Sequence, residues 1–299
     1  MKRARRSELA TPASSEKMMA KAAASTADLV FLDLEDAVAE NQKVEARGKA
    51  VEALRSLEWR PGTKALRINA LDTHYAYEDI IEVVSGAREA LDVIIVPKVK
   101  AARDVWWVAV LLDQLEARHG ITKKIGIEVL IEEVEALIHV DEIAFASDRL
   151  EALIFGAGDF AASQGVRIED IGAKSNYPGD IWQYARNRVV VAARAAKIDA
   201  IDAPFGAIDD PAGYREQATM ASTLGFVGKW AIHPSQIDIA NDVYSPGADE
   251  VARARAIAKA YYDGAEQGLG AVIHEGKMID AASVRIAQNV IDVADLIGM

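Results

Sequence analysis

Three observations predict an α/β protein built as one (β/α)8 barrel, the TIM-barrel architecture, with a C-terminal helical lid extension. Eight strand-like runs alternate with helical ones up to about residue 234, the pattern changes after about residue 245, and no Gly-x-Gly-x-x-Gly opens a helix after any strand. The last point makes a dinucleotide-binding sheet the weaker reading. The expected division is a barrel over 1–245 and a lid or oligomerisation segment over 246–299.

Glu8 to Thr11 reads as a short strand ending at Pro12, with Ser14 or Ser15 placed to cap a helix running to Ser25. Asp28 to Asp33 is the second strand, followed at once by the acidic Leu34-Glu35-Asp36, and 43–57 is an amphipathic helix ended by Arg60-Pro-Gly62. Lys64 to Asn69 is the third strand, with Arg67 and Asn69 as polar interruptions near its end. A helix over 75–85 leads to the strand Val93–Val96, which stops at Pro97-Lys98. The helix carrying Trp106 and Trp107, expected to pack in the core or a subunit interface, leads to Ile125–Ile131. A helix over 132–139 precedes the strand that ends at Phe155. Residues 160–178, with Gly165, Gly172, Asn176 and Pro178, read as a long rim loop. A helix over 180–196, the strand Ile198–Asp202, a helix over 211–224 and the run Val227–His233 complete the alternation. The tail reads as a long helix, Asp249 to Gln267, a hairpin turning at Glu275-Gly276, and a final helix over 281–297. That tail is too thin to hold a core alone and should pack on a barrel, its own or a neighbour's.

Composition narrows the function classes. At 299 residues and 51% hydrophobic the chain buries a large core, and no apolar stretch approaches membrane-spanning length. The start, Met1-Lys-Arg-Ala-Arg-Arg6, lacks the apolar segment of a secretory signal, so the expectation is a cytoplasmic protein with no membrane partner. Zero cysteines exclude disulfides, thiolate nucleophiles and thiolate-bound zinc, and the five histidines form no paired metal motif. A net charge of −12 argues against a nucleic-acid partner.

Two stretches carry candidate chemistry. Leu153–Phe155 is short enough for a strand buried on both faces, and the Gly156-x-Gly158 break turns the chain so that Gly158 and Asp159 meet whatever binds at the strand end. Ile125–Ile131 presents one acid, Glu128, in an otherwise apolar run. Burying an ionised acid is costly without a cation or hydrogen bonds, so Glu128 and Asp159 together suggest a shared divalent metal bound through hard oxygens. The alternative is that each acid caps a helix or pairs with an arginine.

Further motifs occur in order along the chain: Arg6-Ser-Glu-Leu-Ala-Thr-Pro12 with Lys21-Ala22, Phe31-Leu-Asp-Leu-Glu-Asp-Ala-Val38, Arg67-Ile-Asn69, Val96-Pro-Lys98, Ile127-Glu-Val-Leu-Ile-Glu132, Gly156-Ala-Gly-Asp-Phe-Ala-Ala162, Pro204-Phe-Gly206, Gly228 to Gln236 and Lys277-Met-Ile-Asp280. From residue 6 to the C-terminus this set resembles the malyl-CoA lyases, within the group related to the citrate lyase β subunit. The resemblance implies a TIM barrel with a C-terminal lid, in trimers or hexamers whose lids close neighbouring sites. It also implies Mg²⁺-dependent (or Mn²⁺-dependent), reversible cleavage of malyl-CoA to acetyl-CoA and glyoxylate, often with β-methylmalyl-CoA as a further substrate. Such a retro-aldol step develops negative charge on the hydroxyl oxygen and on the thioester enolate.

By the same resemblance Glu128 and Asp159 hold the metal, Glu35 and Asp36 orient its waters, and Arg67 grips substrate oxygens with a planar fork. Lys21 matches a CoA-contacting lysine, with Ala10 and Ser15 at nucleotide-contact positions where some relatives carry an aromatic residue and an arginine. Asp280 matches a lid acid that serves as general acid/base from another subunit. Other uses of these side chains compete with those roles: Arg67 paired with Asp72 or Glu78, Lys21 solvated on a helix, Asp280 as the N-cap of the last helix. His233, before Pro234, reads as a structural residue that holds the rim. Rival functions are citramalyl-CoA lyase, a citrate lyase β-type subunit, a malyl-CoA thioesterase, and a CoA-ester-binding barrel without turnover.

Overall fold

The computed structural model describes residues 2–167 and 177–299 and contains a closed parallel barrel of eight strands in the order β1 to β8. β1 (Ser7–Pro12) leads through a turn to α1 (Glu16–Ala23), whose N-cap is Ser15, its hydroxyl accepting from the Met18 N–H at 3.3 Å. β2 (Leu29–Asp33), α2 (Lys43–Ser56), β3 (Thr63–Arg67), α3 (Ala76–Ala87), β4 (Val93–Val96) and α4 (Ala102–His119) continue the alternation. β5 (Gly126–Ile131) is followed by two short helices, α5 (Val134–Ile138) and α6 (Val140–Ala144), then β6 (Leu150–Phe155) and α7 (Ala157–Gln164). α8 (Gln183–Ala196), β7 (Asp199–Asp202), α9 (Pro211–Leu224), β8 (Gly228–Ala231) and α10 (Ile237–Val243) bring the chain round.

The strands are apolar because both faces are covered: one row fills the barrel and the other meets the helices. Leu29, Phe31, Ala65, Val93, Ile95, Leu130, Ala152, Ile154, Ile201 and Trp230 form the inner core. Closure pairs Ser7, Glu8 and Leu9 of β1 with Lys229, Trp230 and Ala231 of β8. The seam is tight enough that a Cβ on Gly228 would sit 1.7 Å from the Arg5 carbonyl oxygen, so only glycine fits.

Two compact units are present, Arg5–Asp242 and a second formed by the residues through Ala4 with Val243–Met299. In the second, α11 (Ala248–Glu266) packs along α12 (Ala281–Leu296), with Arg255 Nη2 2.8 Å from Asp295 Oδ1. Between these helices lies the antiparallel hairpin of β9 (Val272–His274) and β10 (Lys277–Ile279). Its turn residues Glu275 and Gly276 have φ of 48° and 75°, as the reversal in a tight hairpin requires.

Two expectations are corrected. The start of the supposed rim loop at 160–178 is helix α7, because Gly156 opens that helix and Gly165, in the left-handed conformation with φ 74°, closes it. Gly172 and Asn176 of that reading lie outside the described residues. Of the two placements expected for Trp106 and Trp107, the core is excluded, since they are 60% and 39% exposed on α4, and exposure in a single chain is compatible with the other, a subunit interface. No described helix is long and apolar enough to cross a membrane.

Candidate active site

The C-terminal ends of the strands form the mouth of the barrel, and successive elements each deliver a polar side chain there. β2 ends in Asp33, which accepts backbone N–H bonds from Glu35 at 2.9 Å and Ala37 at 3.0 Å and so shapes the acidic turn that follows. Lys43 braces that turn from below, its buried ammonium donating to the carbonyls of Leu34 (3.0 Å) and Glu35 (2.7 Å) and to Asn69 Oδ1 (2.6 Å). β3 ends in Arg67, whose Nε and Nη2 each donate to Asp33 at 2.7 Å. Its pairing partner is therefore Asp33 rather than Asp72 or Glu78.

The guanidinium also lies 5.4 Å from the Trp230 ring centroid and 6.0 Å from that of Phe31, two aromatic faces that help fix its plane. Its remaining nitrogen, Nη1, is 2.9 Å from Glu35 Oε2 and 3.7 Å from Asp36 Oδ2. Burial opposes charge on Asp33, but the Arg67 fork outweighs it and holds that carboxyl below its ordinary range.

Lys98 follows β4 with φ of 50°, an uncommon backbone conformation for a residue with a side chain. The turn lets one residue act twice. Its N–H donates to Glu132 Oε1 at 2.8 Å, while its ammonium donates to Glu35 Oε1 at 2.7 Å and stands 3.6 Å from Asp36 Oδ1 and 4.0 Å from Asp159 Oδ1. Burial works against that ammonium, yet the three acids raise its pKa and keep it charged.

Glu132 completes the mouth from just beyond β5. Burial, then the neighbouring charges of Glu35 and Asp159, push its carboxyl up to about 8. A Cβ on Gly156 would fall 2.5 Å from Glu132 Oε2, so the glycine at the start of α7 makes room for this carboxylate. Asp159, in the first turn of α7, is 44% exposed, and Gly158 beside it is half-buried.

The structure separates Glu128 from this group. On a strand, side chains two apart share a face, so Glu128, Leu130 and Glu132 all follow the inward row, but four residues span about 13 Å. Glu128 sits at the opposite, N-terminal end, or floor, wholly enclosed, with Oε1 accepting from Arg5 Nε at 2.8 Å. Pairing with an arginine is thus its use, and the expectation that Glu128 and Asp159 share a metal is corrected: the acid at the mouth on this strand is Glu132.

The other expected residues stand apart from the cluster or have local uses. Lys21 is exposed on α1, Ser15 caps that helix, and Ala10 packs against the inner core. Asp280 caps α12, accepting from the Ser283 N–H and hydroxyl at 2.9 Å each, and these bonds lower its pKa. His233 turns its Nδ1 to Ser235 Oγ at 2.8 Å, a rim-bracing contact. Glu132 and Lys98 were missed as functional residues although both lie in the sequence motifs. Their signal was position, since each stands one or two residues beyond the C-terminal end of a barrel strand.

The mouth fits a hard divalent cation. Asp33, Glu35, Asp36, Glu132 and Asp159 outnumber Arg67 and Lys98, and all the available ligand atoms are oxygens. Among the described residues no three acids or histidines converge closely enough to enclose a metal alone. An ion held by two carboxylates would keep positions open for water and substrate.

A closed (β/α)8 barrel with charged groups converging at its C-terminal mouth has the layout of a TIM-barrel enzyme. Comparison with known proteins gives the family: residues 6–234 match the HpcH/HpaI aldolase/citrate lyase family, to which this chain belongs, and it is a carbon–carbon lyase. The chain is 41% identical to the L-malyl-CoA/beta-methylmalyl-CoA lyase of Cereibacter sphaeroides, over 99% of this chain and 96% of that one. It is 34% identical to the malyl-CoA/beta-methylmalyl-CoA/citramalyl-CoA lyase of Chloroflexus aurantiacus, over 90% of this chain and 81% of that one. Among solved structures, the CitE protein of Mycobacterium tuberculosis in complex with magnesium, acetoacetate and coenzyme A superposes with a TM-score of 0.75 at 30% identity, covering 97% of each chain.

Proposed function

We propose that the protein catalyses the reversible, Mg²⁺-dependent cleavage of malyl-CoA to acetyl-CoA and glyoxylate, and of β-methylmalyl-CoA to propionyl-CoA and glyoxylate. The observation that carries this reading is the pairing, at one barrel mouth, of an arginine fork locked by Asp33 with the carboxylates of Glu132 and Asp159 beyond neighbouring strands. The names of the relatives support the CoA-ester class.

Glu132 and Asp159 are the residues that would hold the ion, with Glu35 and Asp36 orienting its waters. When bound, the ion supplies a Lewis acid and template for the glyoxylate oxygens. Arg67, pinned by Asp33, presents Nη1 to the oxygen on which charge develops, and the fixed fork needs no reorganisation during the reaction. Lys98 keeps Glu35 and Glu132 in place through its two donors. Asp280, ionised by its capping bonds, is suited to take the α-proton of the CoA ester in condensation and to return it in cleavage. We assign it to a site on a neighbouring subunit of a trimer or hexamer, where its unit closes the mouth against water. Lys21, Ala10, Ser15 and Gly158 are the positions for CoA contacts.

The test is a panel of malyl-CoA, β-methylmalyl-CoA and citramalyl-CoA offered to purified protein, with glyoxylate, pyruvate, acyl-CoA and free CoA all measured. Glyoxylate with acetyl-CoA or propionyl-CoA, lost on chelation and restored by Mg²⁺ or Mn²⁺, is the expected result. Pyruvate with acetyl-CoA from citramalyl-CoA alone would reassign the substrate, and free CoA with malate would identify a thioesterase.

A further inference from the structure

The floor of the barrel holds a second charged assembly that the proposed chemistry does not use. Arg5, just before β1, donates Nε to Glu128 Oε1 at 2.8 Å and Nη1 to Asp199 Oδ2 at 3.1 Å, and pairs through Nη2 with Glu151. Glu8 of β1 faces the same space, with Oε1 3.9 Å from Arg5 Nε. Its other oxygen, Oε2, accepts from the indole N–H of Trp230 at 2.9 Å. Glu8 and Glu128 are both wholly enclosed.

Each of these two acids has one oxygen with no hydrogen-bond partner, Oε1 of Glu8 and Oε2 of Glu128. A buried carboxylate oxygen without a donor is costly, and two carboxylates cannot serve each other while both are ionised. The groups facing Glu8 are Arg5 from its own chain segment, Glu128 from β5, Glu151 from β6, Asp199 from β7 and Trp230 from β8. Ionising both enclosed acids, Glu8 and Glu128, beside an arginine already shared with Glu151 and Asp199 would leave excess negative charge at the floor. One proton between Glu8 and Glu128 satisfies both orphan oxygens and removes one negative charge. It belongs on Glu8, because Glu128 is the closer ion partner of Arg5, whereas the main partner of Glu8 is a neutral indole.

We propose that Glu8 is a neutral carboxylic acid in the folded barrel, donating from Oε1 to Glu128 Oε2, and that it is a positioning residue which holds Trp230 against the Arg67 guanidinium. Burial and the Glu128 charge push the Glu8 carboxyl well above its ordinary range, in the same direction. Trp230 is the link between floor and mouth: its indole N–H is anchored on Glu8, its ring stacks on Phe31 at 4.5 Å, and its centroid is 5.4 Å from Arg67 Cζ. The positioning half rests on the role proposed for Arg67, and the protonation half does not.

Glu8→Gln is the discriminating variant, since a glutamine amide donates where the acid's hydroxyl does and its carbonyl accepts from Trp230. In a Glu132→Gln background, which removes the other carboxyl raised toward neutral pH, infrared spectra with ¹³C-labelled glutamate should show a protonated-carboxyl band near neutral pH that disappears when Glu8→Gln is added. Above the ordinary glutamate range the folded state keeps a proton that the unfolded chain releases, so stability falls with rising pH until Glu8 itself ionises. Glu8→Gln removes that dependence, and its melting temperature should gain on the natural protein's steadily as pH rises above the ordinary glutamate range. Glu8→Leu, which offers no acceptor, should move the Trp230 indole N–H resonance and lower kcat/KM about tenfold or more, while Glu8→Gln leaves both near normal. A missing protonated-carboxyl band, or a Gln variant less stable at every pH, would overturn the protonation. An unmoved indole resonance in Glu8→Leu would overturn the anchoring. The infrared, stability and indole-resonance readouts require no substrate, so they stand or fall separately from the proposed reaction.

Discussion

The two ends of the barrel use similar parts differently. At the mouth, acids from β2, β5 and α7 share Arg67 and Lys98, and Asp36 and Asp159 keep open faces, 57% and 44% exposed. At the floor, four acids surround Arg5, and Glu8 and Glu128 are sealed from solvent. A cluster with open oxygens and uncompensated charge can take and release a ligand. A sealed one takes no ligand and acts through the strands and side chains it holds, so the number of acids alone does not distinguish a site from a structural core.

Substitutions at matched positions on one strand should split activity from stability. Glu132→Gln or Asp159→Asn should lower turnover by about a hundredfold to a thousandfold with an unchanged melting temperature, the scale of losing one preorganised electrostatic group. Glu128→Ala leaves the buried Nε of Arg5 without its acceptor, although Glu151 and Asp199 still pair with the other nitrogens, and should cost about 1–3 kcal/mol of stability in denaturant unfolding while folded molecules keep their turnover. A Glu128 variant that is inactive but fully stable would reverse the assignment of the two ends.

Arg67→Lys tests the fork at the mouth. The charge remains but the paired bonds to Asp33 do not, and condensation with glyoxylate should fall by about a hundredfold with little change in the KM for acetyl-CoA. A matching loss of acetyl-CoA affinity would place Arg67 on the thioester side.

The glycines sharpen the same contrast on a smaller scale. Gly156→Ala puts a methyl 2.5 Å from Glu132 Oε2 and 2.6 Å from its Cβ, so activity should drop about tenfold while the fold persists. Gly228→Ala drives a methyl into the Arg5 carbonyl oxygen, and its effect should register in thermal unfolding, at about 1–3 kcal/mol or more, before activity. The smallest signal is expected from mixing inactive Asp280→Ala and Asp159→Asn proteins under subunit exchange. A fraction of activity should return if Asp280 serves a neighbouring mouth, and exchange without recovery would confine it to its own subunit.

The barrel was legible because period-two strands and 3.6-period helices alternate with short connections, and a strand covered on both faces leaves an unbroken apolar run such as Val93–Val96. The site was half legible. Asp159 and Arg67 stand where a strand ends in a polar residue, and both are found at the mouth. Glu128 misled because an acid in an apolar run signals compensation without saying by what. Period two assigns Glu128 and Glu132 the same inward face, and only distance along the strand separates them. Lys98 was hidden because its role depends on a positive φ that no residue type announced. The helix α7 was read as loop because glycines that begin and end a helix resemble those that interrupt one.

The β1–β8 seam also bears on how the chain is made. Glu8 and Trp230 lie 222 residues apart in sequence, and Ser7 Oγ meets Asn241 Oδ1 at 2.7 Å, so β1, which pairs with β2 on one side, finds its β8 partner on the other only when the last part of the barrel has been synthesised. At ribosomal speeds of about 5–20 residues per second that delay is on the order of 11 to 44 s. Throughout it the β8-facing side of β1 is an unpaired edge whose long-range contacts carry the largest loop-closure cost in the barrel. Closure of this seam is therefore expected to be the late, slow event of folding, and it is the event that draws a proton from solvent as Glu8 becomes enclosed.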